Sequence, residues 1–116
     1  TFQELRKNSV ALCSVEGSWI PREMMFAAVK EKTADFSYTR FMGERDLTEF
    51  SAVVRPQDAN LQIWKEELGK FPTDSNFIYF SNFYEGFAVE SSQKLRRLFG
   101  QEIIEPSLLE TQKSLF

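Results

Sequence analysis

A chain of 116 residues with 42% hydrophobic and 27% charged side chains is long enough for one domain with a buried core. Its formal net charge of -3 gives no global attraction to nucleic acid or to an anionic membrane, so any anion site must be local. With no histidine and a single cysteine, Cys13, it excludes an internal disulfide framework, zinc sites built on histidine, and serine or cysteine triads of the usual kind.

Residues 1–8 read as the end of a helix: Phe2 and Leu5 are three apart, Arg6 and Lys7 lie near the end, and Asn8 takes the C-cap. An opening on a helix end predicts a preceding segment. Residues 10–15 form a short apolar run with Val10 and Val15 at its ends. That suits a strand buried on both faces of a parallel sheet, with Cys13 as a small core residue. Glu16, Gly17 and Ser18 break the run. Pro21 then starts a helix from its first position, with residues 24–32 as the body and Met25, Phe26 and Val29 toward the core.

Residues 36–42, FSYTRFM, read as the second strand. Period two puts Phe36, Tyr38, Arg40 and Met42 on one face and Ser37, Thr39 and Phe41 on the other. Residues 44–55 have no clean period and read as a long loop. Pro56 opens a helix running to about Leu68, with Leu61, Trp64 and Leu68 on one face, and Gly69 and Pro72 stop it. Residues 77–80, FIYF, are the third strand, and residues 87–99 a helix followed by Gly100. The tail, residues 101–116, is amphipathic and interrupted by Pro106; it is either a docked helix or a frayed end.

Strands alternating with helices predict an α/β fold with parallel strands joined by crossovers. The stretch 76–100, NFIYFSNFYEGFAVESSQKLRRLFG, carries a strand into a helix through the polar turn 81–86. Ligands gather at such turns in α/β folds.

Three stretches, SWIPREMM, ADFSYTRFMGERD and IYFSNFYEGFAVESSQKL, resemble in order the C-terminal half of the YecE-like family, the domain of unknown function 72. The resemblance spans residues 1–100 and implies the C-terminal portion of a TIM-type (β/α)8 barrel, about its last three strand–helix units, with the tail 101–116 set apart. A whole barrel of this kind needs roughly 200 residues or more. The alternative is a small independent α/β domain. Family members commonly carry an acidic residue before the Trp-x-Pro-Arg stretch, and Glu16 stands there; Arg40 and Gly43 match an Arg-x-x-Gly pattern. Relatives often read Asn-Asn-His-Tyr-x-Gly at the last strand end. Asn82, Tyr84 and Gly86 fit, while Ser81 and Phe83 depart, leaving no imidazole there for acid–base work.

The family brings no established reaction. If Glu16, Arg40 and Asn82 converge at the strand ends, Arg40 clamps a phosphate or carboxylate, Asn82 orients it, Tyr84 and Gly86 border it, and Glu16 is the candidate catalytic base or the partner of Arg40. The alternative is an internal Glu16–Arg40 ion pair without chemistry. Phe83, Tyr84 and Phe87 either stack on a base or sugar or cap the rim. The expected partner is therefore a small anionic, phosphate-bearing ligand. Alternatives are a non-catalytic module that binds nucleic acid, which the net charge does not favour, or protein, and a segment that only completes the barrel. No metal, no cofactor and no membrane partner are expected, and the isolated segment is expected to self-associate. No apolar run approaches a membrane span and no signal-peptide pattern opens the chain, so it reads as cytoplasmic.

Overall fold

The computed structural model describes residues 1–103. In chain order the described elements are α1 (Phe2–Lys7), β1 (Cys13–Glu16), α2 (Arg22–Val29), β2 (Phe36–Phe41), α3 (Asp58–Leu68), β3 (Ser75–Phe80), α4 (Asn82–Glu85) and α5 (Ala88–Leu98). The strands form one parallel sheet in the order β1-β2-β3. The expected α/β alternation and the unstructured 44–55 loop are both present. Most of the tail, expected as a docked helix or a frayed end, lies outside the described residues, at 104–116. No helix among the described residues is long and apolar enough to cross a membrane.

Period two along the strands divides their side chains between a covered face and a bare one. Ser14 and Glu16 of β1 align with Thr39 and Phe41 of β2, which align with Ile78 and Phe80 of β3. This face is covered by helices. Val29 of α2, Leu61, Trp64 and Leu68 of α3, and Leu95 of α5 are buried in one cluster with Phe41, Phe71 and Tyr84. Trp64 is its centre, edge-on to Phe26 at 4.8 Å and to Phe41 at 5.2 Å. Phe41 in turn stacks on Phe80 at 4.5 Å. The core face expected for α3 is thus the observed one, because 3.6-residue periodicity is reliable over an 11-residue helix.

The opposite face carries Cys13, Val15, Tyr38, Arg40, Phe77 and Tyr79 at matching levels. Phe77 and Tyr79 are half exposed, at 50% and 52%, so the two-sided burial read from the apolar strands is not met among the described residues. Cys13 is only partly buried there. Burial raises its thiol pKa against the lowering effect of Arg40.

Several boundaries move: α3 opens at Asp58 rather than Pro56, and β3 begins at Ser75 rather than residue 77. The first strand begins at Cys13 rather than residue 10. Pro21 stands just outside α2 as its N-cap, and α2 ends at Val29. The four-residue α4 was not expected. Ser81 starts it by accepting a hydrogen bond from the Phe83 N–H, and Gly86 ends it in the left-handed region at φ 116°.

Candidate functional site

The C-terminal ends of β1 and β2 meet α4 and the long loop around a pocket of about 240 Å³, lined among others by Glu16, Gly17, Gly43, Arg55, Gln57 and Tyr84. Glu16 is the last residue of β1 and turns toward the helices. Its carboxylate accepts a fork from Arg22, Nε to Oε2 and Nη2 to Oε1, both 3.1 Å. The Trp64 indole N–H also donates to Oε2. This hydrogen bonding, more than the opposing burial, raises the Arg22 pKa. Arg22 continues to Asn60 Oδ1 at 2.8 Å, and the Asn60 amide donates to Gln57 Oε1. A polar chain therefore runs from the end of β1 to the start of α3, every link charge-assisted or amide to amide.

The other wall is the loop. Arg55 holds Asp46 with both nitrogens, at 2.8 and 3.1 Å, and donates to the Phe83 carbonyl at 2.8 Å. Glu85, wholly buried, accepts from the Gln57 N–H and from Lys94, each at 2.8 Å. Burial lowers the Lys94 pKa, but hydrogen bonds to Glu85 and Asp58 outweigh it and the net shift is upward. Gly43 admits the close approach of α4: a Cβ there would fall 2.0 Å from the Phe83 carbonyl oxygen.

Tyr84 lines the same pocket and is only 3% exposed. Its ring packs edge-on to Phe41 at 5.2 Å, but its hydroxyl meets no partner among the described residues. Burial first, then the negative charges of Glu16 and Glu85, push its pKa well above the ordinary value, so the phenol is a neutral donor.

A family model described as "Protein of unknown function DUF72" matches residues 1–114. The chain belongs to the DUF72 family. A solved structure of a DUF72 family protein from Thermotoga maritima superposes with a TM-score of 0.64 at 18% identity, covering 87% of this chain and 41% of that one. At that identity the likeness speaks for the fold alone. This DUF72 chain spans 41% of the length of that structure. No curated protein matches it.

Of the five residues singled out from the sequence, the pocket brings together Glu16 and Tyr84. Arg40 lies on the bare face, one residue before the end of β2; it is exposed, and its side chain makes no hydrogen bond or ion pair among the described residues. Glu16 is not the partner of Arg40, either around a ligand or as an internal pair: it is paired with Arg22, and the two side chains leave opposite faces of the sheet. Asn82 is exposed, and its amide oxygen accepts the Ala88 N–H at 2.8 Å, capping α5. Gly86 is not a free helix start; its N–H donates to the Asn82 carbonyl at 2.8 Å. Phe83 packs edge-on to Phe50 at 5.2 Å and Tyr84 edge-on to Phe41 at 5.2 Å, so these two rim aromatics are engaged internally.

In this DUF72 chain the residues that surround Glu16, namely Arg22, Asn60 and Trp64, were not read as site residues. Arg22 had a signal, since it closes the Trp-x-Pro-Arg stretch that follows Glu16. Asn60, Gln57 and Arg55 had none, because only the loop's path brings them to the strand end.

Proposed function

We propose that the chain is the C-terminal portion of a TIM-type (β/α)8 barrel, about its last three strand–helix units. In this reading the whole protein holds a small anionic, phosphate-bearing ligand at the C-terminal strand ends. Parallel strands covered by helices on one face and bare and aromatic on the other support the barrel, as does a likeness spanning less than half of a longer relative.

The observation that carries the ligand reading is Arg40. It stands unpaired among the described residues, near a strand's C-terminal end, on the face that a closed barrel would enclose. Arg40 is exposed among the described residues; enclosed in a closed barrel, its guanidinium would call for a counter-charge. Asn82 and Gly86 are engaged elsewhere, which leaves Arg40 as the clamp. Titrating the whole protein and its Arg40→Ala and Arg97→Ala variants with inorganic phosphate and a sugar phosphate tests this. Arg40→Ala is expected to weaken binding about tenfold or more, and Arg97→Ala, on the outer helix, to leave it unchanged. Equal affinity in all three, or a carboxylate from elsewhere in the protein seated on Arg40, would end the anion reading.

The barrel reading also predicts that the isolated 116-residue segment self-associates or is loosely folded. Phe36, Phe77 and Tyr79 are 41%, 50% and 52% exposed along one face, and both β1 and β3 present open edges in this sheet. Sedimentation as a monomer with a sharp cooperative melt would count against it.

A further inference from the structure

We propose that the pocket beside Glu16 is a second binding site, separate from Arg40, which takes an uncharged polyhydroxylated small molecule such as a monosaccharide or polyol. Tyr84 lines the pocket, and its buried hydroxyl has no partner among the described residues, which is costly unless something meets it. Glu16 offers the complementary group. Its Oε2 is taken by Arg22 and Trp64, whereas Oε1 accepts only from Arg22 and keeps a lone pair. A neutral hydroxyl group can accept from Tyr84 and donate to Glu16 without setting a second negative charge beside the carboxylate, which a phosphate would do.

Charge points the same way. Glu16 is answered by Arg22 and Arg55 by Asp46, so the lining has no surplus positive charge for an anion. The remaining charged residue of the lining is Glu44, which is exposed and in water attracts a cation only weakly. Trp19 follows the lining residues Gly17 and Ser18, is 58% exposed, and its ring lies over Gly17, where a Cβ would fall 2.7 Å from the ring. An exposed indole next to a pocket is a side chain that can pack on the C–H face of a sugar ring. The volume, about 240 Å³, is below that of pockets for drug-sized ligands and suits a smaller molecule.

The test is to titrate the whole protein by calorimetry or ligand-observed NMR with neutral hexoses, pentoses and inositol, and with inorganic phosphate and methylammonium for comparison. At least one neutral polyol is expected to bind. Tyr84→Phe should weaken it about fivefold to tenfold, and Trp19→Ala should weaken it too, while Arg40→Ala leaves it unchanged. Tyr84→Phe keeps the ring and removes only the unpartnered hydroxyl, so its melting temperature should not fall. That separates a ligand contact from a structural one. Binding of no neutral polyol, polyol affinity unaffected by Tyr84→Phe, or a Tyr84→Phe loss confined to phosphate or methylammonium would each overturn the proposal. Loss of phosphate binding in Arg40→Ala tests the anion reading alone.

Discussion

Trp64→Ala is expected to cost about 3–5 kcal/mol of folding stability, the range for truncating a large buried aromatic. Trp64 is wholly buried and touches three parts of the structure at once: Phe26 of α2, Phe41 of β2, and the Glu16 carboxylate through its indole N–H. An alanine there opens a cavity between α3 and the sheet that rigid strands cannot close. It also strips a donor from a largely buried carboxylate. Trp64→Phe separates the two effects, since it fills most of the space but cannot donate; about 1–2 kcal/mol is expected for it. Urea denaturation of the whole protein measures both. A Trp64→Ala midpoint close to that of the parent would mean that α3 is not held through this ring.

Where the sequence was legible, periodicity had enough residues to average over. The 11-residue α3 shows Leu61, Trp64 and Leu68 at helical spacing, and all three are buried. The polar turn before α5 was located, but α4 within it was not, because four residues carry less than two turns of pattern. Its only marks were Ser81 before it and Gly86 after it. The first strand was placed three residues early for a different reason. Ser9 takes a positive φ of 53°, and the Val10 N–H returns to the Leu5 carbonyl at 2.9 Å. Val10 therefore belongs to the hook that ends α1 and is 47% exposed, although its side chain reads as strand.

The site was half legible for a geometric reason. Glu16 and Arg40 both sit near strand ends, and that much follows from the sequence. Whether they face each other depends on register, which period two within each strand cannot supply. The observed register sets Val15 opposite Arg40 and Glu16 opposite Phe41. A shift of one residue would have put both charges on one face. With the register as it is, Glu16 turns to the helices and finds Arg22 six residues on, and the candidate pair becomes two separate features.

Glu85→Ala is expected to destabilise the protein by about 3 kcal/mol, the low end for breaking a buried ion pair, and to do so first in the long loop. Glu85 has no exposed surface. Its Oε2 binds both the Gln57 N–H and Lys94, and its own carbonyl accepts from the N–H groups of Val54 and Arg55 at 2.8 and 2.9 Å. Alanine keeps the carbonyl bonds but orphans the Gln57 N–H. Lys94 suffers less, because it retains Asp58 at 3.2 Å and is 20% exposed, hence the low end of the range. Lys94→Met is expected to cost more than Glu85→Ala, since it leaves the carboxylate buried with one backbone donor. Combining Glu85→Gln with Lys94→Met should cost less than the two changes summed, as expected for residues that act on each other. Because Gln57 lines the pocket, hydrogen exchange at the amides of Val54, Arg55 and Gln57 should quicken in Glu85→Ala before the core exchanges. Loop protection equal to that of the parent, with stability lost only globally, would show that Glu85 holds α4 to the core and not the loop to the pocket.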